Sequence, residues 1–147
     1  MNKFFKITAL TAAALLSACG QEPAPAPAPD HLILLTKSSG GDTEASFLAV
    51  DNLEHCETRA AGARAVFPAA GITYITHYCV KSEPVFEPFA HSSDEDARTY
   101  VFDLNLSKDG TALGSAAPYA SVKACANAKG RLCIVTTQNR VTPKNKK

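Results

Sequence analysis

Two histidines and two cysteines fall in a pattern that could hold a metal ion. His55 and Cys56 are adjacent in a segment with helical spacing, and His77 lies two residues before Cys79 in a strand-like segment. Side chains two apart on a strand share a face, and imidazole with thiolate suits copper or zinc. The competing interpretation is a Cys56–Cys79 disulfide, which the oxidising compartments that exported proteins enter would favour. We therefore expect no metal and no cofactor, and keep His55 and His77 as the weaker alternative.

The cysteine count supports the disulfide interpretation. Of the five cysteines in the chain, Cys19 stands apart near the N-terminus, and the other four form an even set typical of two bridges in an exported domain. Two segments each read as strand, turn, helix with a cysteine and strand with a cysteine. This weak internal repeat favours the pairs Cys56–Cys79 and Cys125–Cys133, and the crossed pairings stay open.

The first eighteen residues have the composition of an export signal. Lys3 and Lys6 give a positive start, residues 7–16 form an apolar core, and small residues follow. Ten residues make about 15 Å of helix, roughly half of what spans a bilayer. Residues 1–18 are therefore predicted to be a cleaved signal peptide rather than a transmembrane helix.

The end of this signal resembles the lipobox of bacterial lipoproteins. The run Leu16-Ser17-Ala18-Cys19 places a cysteine directly after the small residues. The resemblance implies cleavage before Cys19, diacylglycerol on its sulfur and a further acyl chain, such as palmitate, on its new amino group. An aspartate directly after the lipidated cysteine resembles a mark for retention in the inner membrane. This chain has Gly20 at that position, as in outer-membrane lipoproteins, which it resembles in this respect. The alternative is a soluble periplasmic protein in which Cys19 has no role.

A proline-rich tether follows the lipidation site. Within residues 19–30, positions 23–29 alternate proline and alanine, and the stretch contains nothing that could pack a core. Proline fixes φ and removes the amide donor, so the stretch should be extended. The eleven residues 20–30 at about 3.1 Å each reach roughly 30 Å. We expect the tether to hold a single domain, residues 31–142, away from the membrane, with residues 143–147 as a basic tail.

Charge excludes one class of partner. Two of the 15 basic residues lie in the signal, which leaves 13 against 14 acidic ones. With no basic stripe and no tryptophan, the sequence gives no support to nucleic-acid binding.

Hydrophobic periodicity predicts an α+β fold. Residues 31–36 and 45–50 suit a hairpin, residues 72–80, 99–106 and 132–137 suit further strands, and residues 82–97 suit a loop. A first helix should begin at an Asp51 N-cap. The residues that share its apolar face are Leu53, Cys56, Ala60, Ala63 and Phe67.

A second helix should cover residues 119–129 and end at Gly130, after a stretch of small residues at 114–118. The expected domain is small and two-layered, with two weak strand–helix–strand half-repeats stapled by two disulfides.

No residues assemble into a convincing catalytic motif, so we expect a non-enzymatic protein. His91 in the acidic loop is the residue on which a small hydrolase would depend. Phe86 and Phe89, in an imperfect E-P-x-F repeat, are the candidates for an exposed partner-binding patch; docking on the core is their other role.

The layout of lipobox, tether and four-cysteine domain resembles the stress-sensor lipoprotein of the Rcs pathway, in plan only. No run of residues is shared and the cysteine spacings differ, so no functional residue is carried over. We expect a binding, assembly or sensing module anchored in the outer membrane through lipid on Cys19. Its partner would be another envelope protein or the cell wall; the alternative is a periplasmic carrier of metal or a small ligand.

Overall fold

The computed structural model describes residues 27–89 and 98–141. Strands make up the largest share of the described residues, which also contain two α-helices and a 3₁₀ turn at Pro68–Ala70. The strands and helices in chain order are β1 (His31–Lys37), β2 (Thr43–Ala49), α1 (Leu53–Val66), β3 (Thr73–Ser82), β4 (Val85–Phe86), β5 (Tyr100–Leu106), β6 (Ala112–Tyr119), α2 (Val122–Asn127), β7 (Cys133–Thr136) and β8 (Arg140–Val141).

Six of the described strands form one mixed sheet that closes on itself, in the order β1-β2-β7-β5-β6-β3. Strand β1 pairs antiparallel with both β2 and β3, and β5 pairs antiparallel with both β6 and β7. The two junctions between these three-stranded groups, β2 with β7 and β3 with β6, are parallel. The predicted α+β class is confirmed, and closure of the sheet is a feature that the sequence analysis did not predict.

The topology is that of two related halves. The first half, residues 31–89, runs β1-β2-α1-β3-β4, and the second half, residues 98–141, runs β5-β6-α2-β7-β8. Each half therefore has a hairpin, a helix, a strand and a two-residue strand. Strands β4 and β8 pair antiparallel with each other in a separate small sheet. The halves are thus related by an approximate two-fold exchange, which agrees with the predicted half-repeat.

Both favoured disulfides are present. Cys56 on α1 is bonded to Cys79 on β3, and Cys125 on α2 is bonded to Cys133 on β7. Each bridge fixes a helix to the strand that follows it. The sequence separations are 23 and 8 residues, so the first bridge closes much the longer loop.

The apolar core has two parts, which lie on opposite sides of the closed sheet. Inside the sheet, alternate residues of several strands pack together, among them Ile33, Phe47 and Leu104. Outside it, Leu32 and Leu34 of β1 are buried together with Val50, Cys56 and Ala60. Both faces of β1 are therefore buried, which explains its continuous apolar run.

Helix α1 begins one residue later than the capping pattern predicted. The Asn52 side chain, not Asp51, accepts the hydrogen bond from the His55 backbone N–H, at 2.8 Å. Asp51 instead lies 3.2 Å from the His55 ring. The predicted apolar face is correct at Cys56 and Ala60 and wrong at Leu53, which is 55% exposed, because the helix start extends past the sheet that the middle of the helix covers.

The stretch of small residues at 114–118 precedes the second helix as expected, but it is itself a strand, which the sequence analysis did not predict. It lies in strand β6, which pairs with β5 along its length. Alanine, serine and glycine have low strand propensity, so pairing rather than local preference determines the structure here. The second helix is correspondingly shorter than residues 119–129: Ser121 caps its N-terminus and it ends at Asn127.

The tether meets the domain earlier than residue 31. Pro29 is buried, and the Asp30 carboxylate accepts a hydrogen bond from the Ser82 backbone N–H at 2.9 Å and lies 2.8 Å from the Lys81 ammonium. Partial burial alone would raise the pKa of Asp30, but these donors and the neighbouring His31 lower it below its usual value. Asp30 therefore ties the start of β1 to β3. In the described ranges no helix is long and apolar enough to cross a membrane.

Candidate functional site

An open groove of about 570 Å³ lies beside α1, on the outer face of the β1–β2 hairpin. Its floor is set by the register of the two strands, which places Leu32 opposite Leu48, Leu34 opposite Ser46, and Thr36 opposite Glu44. The floor is thus apolar at one end and polar at the other. We call this feature, with the lining residues of α1 described next, the α1 groove.

One wall of the α1 groove is the helix itself. Arg59, Ala63 and Phe67 line it at spacings of four residues, which places them on one side of α1. Ile72, which follows the 3₁₀ turn, and Phe89, which lies beyond β4, complete the lining at its edges. A long helix across a short hairpin therefore leaves a cleft that its own side chains do not fill.

Two basic side chains stand at the groove without an ion pair. Arg59 Nη1 donates to the Ala49 carbonyl oxygen at 3.1 Å, and Lys37 Nζ donates to the Gly41 carbonyl oxygen at 2.9 Å. These bonds hold the positions of both cations, while within residues 27–89 and 98–141 neither is paired with a carboxylate. The exposed Glu44 lies in the lining at the Lys37 end, so the Arg59 end carries the unopposed positive charge.

The two candidate partner-binding phenylalanines lie in different parts of the structure. Phe86 is 6% exposed and its ring is stacked on Phe47, with centroids 3.6 Å apart. It is part of the interior of the closed sheet, so docking on the core is correct for Phe86 and its alternative role in an exposed patch is wrong. Phe89 is half-buried and lines the α1 groove. The E-P-x-F repeat thus supplies one core residue and one groove residue.

A second group of functional side chains lies where α1 packs on β3. The Tyr74 hydroxyl donates to His77 Nδ1 at 2.6 Å, and His77 Nε2 donates to Glu57 Oε2 at 3.1 Å. The other Glu57 oxygen lies 3.5 Å from Cys79 Sγ, a contact rather than a hydrogen bond, since a disulfide sulfur carries no hydrogen. Burial raises the pKa of Tyr74 above its usual value, so its hydroxyl stays protonated at neutral pH and is not activated as a nucleophile.

The structure does not assemble the His55 and His77 pair as a metal site. His55 contacts Asp51 at the start of α1, and the cluster of possible ligand atoms around His77 contains Glu57 and Cys79 instead. Both thiols of the first half are bonded to each other. Cys19, His91 and the acidic stretch around His91 lie outside the described residues.

Sequence reasoning missed the α1 groove and Glu57. The alternation of Leu32, Leu34 and Thr36 was visible, but only the hairpin register shows which residues of β2 lie beside them. Glu57 gave no signal, because its partner His77 is twenty residues away in sequence.

Comparisons with protein-family models, with curated proteins and with solved structures each found no match for this chain.

Proposed function

We propose that this chain is a lipid-anchored, non-enzymatic binding module of the bacterial cell envelope, and that the α1 groove is its binding site. The observation that supports the proposal is the groove itself, a preformed cleft with a leucine-lined floor and an unpaired arginine at one end. Lipid on Cys19 and the proline-rich tether would hold the domain at the outer membrane, facing the periplasm. Membrane and partner binding would then use separate parts of the chain.

The occupant that fits best is an apolar segment of another envelope protein with an acidic residue at one end. Leu48 and Phe67, which are only partly buried, offer apolar surface to such a segment, and its burial supplies the favourable free energy. An acidic group at the Arg59 end would meet the only end of the groove whose charge is not opposed by Glu44. A bidentate arginine–carboxylate pair would then fix the direction in which the segment lies.

The volume of the groove supports a second candidate function. Sites for small molecules commonly measure about 300 to 1,000 Å³ and are mostly apolar with a few polar groups, and the α1 groove falls in this range. A carrier of a small acidic amphiphile would use the same apolar residues and the same arginine. The two functions therefore differ in the size of the ligand and not in the chemistry of the site.

A photo-crosslinking amino acid placed at Ile72 tests the first function in cells. Ile72 lies at the edge of the groove and is 39% exposed, so a bound partner should be captured there. The same amino acid at Lys123, exposed on α2 in the other half, is the matched control. Cys19→Ser should move the protein out of the outer-membrane fraction and reduce the capture.

The captured partner is then purified and its affinity for the full chain is measured. Leu48→Asp and the milder Arg59→Glu should each weaken binding at least about tenfold, since roughly 1.4 kcal/mol is lost for each factor of ten, whereas Lys123→Glu should not. Equal capture from Ile72 and Lys123, or affinities unchanged by both groove variants, would contradict the proposal. A fluorescent long-chain fatty acid that binds to the wild type but not to Arg59→Glu, with no protein captured, would establish the carrier function instead.

A further inference from the structure

The side chains around the Cys56–Cys79 bridge make up a nearly complete set of metal ligands. One ligand atom each of Glu57, His77 and Cys79 lies within 4.8 Å of the others, and Cys56 Sγ is bonded to Cys79 Sγ. In a tetrahedral zinc site with Zn–S of about 2.3 Å and Zn–N of about 2.0 Å, neighbouring ligand atoms lie about 3.3 to 3.8 Å apart. The three clustered atoms are thus within about 1.5 Å of that spacing.

The backbone places these ligands for a reason that sequence spacing alone does not show. His77 and Cys79 are two residues apart on β3, so both face α1. Cys56 and Glu57 are adjacent on α1 and point in different directions, but the longer Glu57 side chain reaches back over the bridge and contacts both the His77 ring and Cys79 Sγ.

His77 already has the outer partner that a metal-bound histidine needs. A ligating imidazole normally hydrogen-bonds through its other nitrogen, which fixes the ring and its tautomer. Tyr74 provides this bond at His77 Nδ1, 2.6 Å away, and leaves Nε2 directed at the Glu57–Cys79 side. A tyrosine hydroxyl can accept as well as donate, so the ring can move its proton to Nδ1 and offer the Nε2 lone pair to a metal.

We propose that the Cys56–Cys79 disulfide, once reduced by a dithiol, becomes a zinc site formed by both thiolates, His77 Nε2 and a Glu57 carboxylate oxygen. In the reduction the S–S bond breaks, the dithiol becomes a disulfide, and its two hydrogens pass to Cys56 and Cys79. Zinc then displaces those two protons to solvent and binds the thiolates. The oxidised protein cannot bind zinc in this way, so the site is open in one redox state and closed in the other.

The second half provides a natural control. Cys125, Cys133 and Asp103 also lie within 4.8 Å of one another, but the cluster contains no imidazole, and Asp103 Oδ1 already accepts a hydrogen bond from the Leu132 backbone N–H at 2.9 Å. Two thiolates and an occupied carboxylate are a poorer set of ligands. Reduction of this bridge should therefore create no comparable site.

The test uses the full mature chain with Cys19→Ser, so that no unrelated thiol binds metal. Cys125→Ser with Cys133→Ser leaves the proposed site alone, and Cys56→Ser with Cys79→Ser leaves the control pair alone. Each chain is reduced with a phosphine under anaerobic conditions and titrated with Co²⁺, then with Zn²⁺ in competition. The proposed site should bind one Co²⁺ per chain with thiolate-to-metal absorption and tetrahedral ligand-field bands, and the oxidised chain should bind none.

Single substitutions then identify the ligands. His77→Ala and Glu57→Gln should each weaken Co²⁺ binding at least about tenfold, and Tyr74→Phe should weaken it about tenfold through loss of the outer hydrogen bond. The proposal is overturned if the folded, reduced chain binds no Co²⁺, if His77→Ala binds with unchanged affinity, or if the control pair binds as tightly. Should reduction unfold the chain, Zn²⁺ must restore its circular dichroism, and failure to do so also overturns it.

A second measurement does not depend on the stability of the reduced chain. In a buffer of fixed dithiol-to-disulfide ratio, Zn²⁺ should raise the reduced fraction of the Cys56–Cys79 pair in the wild type by mass action. His77→Ala should remove most of this shift. An equal shift in both proteins would mean that the thiolates alone hold the metal, against the proposal.

Discussion

The two halves of this domain share one plan and differ in how their helices meet the sheet. In the first half, the fourteen-residue α1 lies across β1 and β3 and leaves the α1 groove beside it. In the second half, α2 has only six residues, and Gly130, three residues after its end, packs against the disulfide of that half. The same order of strands therefore carries a long helix with a groove beside it in one half, and a short helix beside a tightly packed bridge in the other.

Loss of the first-half bridge should have the largest effect on stability of the changes considered. In the chain-entropy account, closing a loop of 23 residues contributes about 3.4 kcal/mol and closing one of 8 residues contributes about 2.5 kcal/mol. Cys56→Ser with Cys79→Ser should thus lower the free energy of unfolding more than Cys125→Ser with Cys133→Ser. Urea unfolding of the two double variants measures the difference.

The same urea measurements can contradict the predicted order of the two bridges. A larger loss for the second-half pair would show that the tight packing around the short loop outweighs the loop entropy. The slope of free energy against urea should rise in both variants, because an unfolded chain without its bridge is less compact and exposes more surface.

The two parallel junctions of the sheet are held by different kinds of hydrogen bond, and substitution of Gln138 tests this difference. The β3–β6 junction is made by backbone bonds, such as Lys81 N–H to the Thr111 carbonyl at 2.9 Å. At the β2–β7 junction the buried Gln138 side chain takes over: Oε1 accepts from the Phe47 N–H at 2.7 Å, and Nε2 donates to the Phe47 and Glu87 carbonyls. Gln138→Ala should cost about 3 kcal/mol, because it leaves several buried backbone groups unpaired.

Thr137→Ala is the control for this substitution, because Thr137 is the exposed neighbour and its removal should change the stability by less than about 0.5 kcal/mol. Gln138→Glu should be more harmful at pH 7 than at pH 4, since a buried carboxylate cannot donate to the Phe47 carbonyl but a protonated carboxyl can. Thermal unfolding at both pH values measures this. A mild, pH-independent effect would mean that water replaces the side chain.

Alanine substitutions at two glycines test the contrast between the halves, and their expected effects are the smallest. A Cβ at Gly130 would lie 2.6 Å from Cys125 Sγ and 2.8 Å from Cys133 Sγ, two atoms that the bridge holds in place, whereas a Cβ at Gly62 on α1 would meet nothing within 4 Å. Gly130→Ala should therefore destabilise by about 2 kcal/mol through overpacking. Gly62→Ala should stabilise by about 0.7 kcal/mol through helix propensity.

Differential scanning calorimetry should show a lower unfolding temperature than that of the wild type for Gly130→Ala and a higher one for Gly62→Ala. Equal displacements would mean that the second half is not packed more tightly around its bridge than the first.

Local patterns in the sequence were sufficient to predict the helices and strands in which apolar residues recur with a clear period. The first hairpin, α1, and strands β3, β5 and β7 were predicted to within a few residues, because their apolar spacing records which face is buried. The disulfide pairing followed from the repeated order of helix and strand around the cysteines. These features depend on residues that are close in sequence.

Features that depend on contacts distant in sequence were not predictable. Strand β6 has small residues with little preference of their own, and it is a strand because β5 pairs with it. Gln138 acts on Phe47, 91 residues away, and an isolated glutamine gives no sign of this. The α1 groove likewise exists only once the hairpin register and the helix position are both known.

Closure of the sheet has a consequence for the order in which the protein can mature. Each half alone would expose two unpaired strand edges, β2 and β3 or β6 and β7, and such edges are prone to pair with other chains. Both disulfides, however, lie within a single half. Oxidation can therefore secure each helix on its strand within one half, before the halves have met to cover the edges of each other.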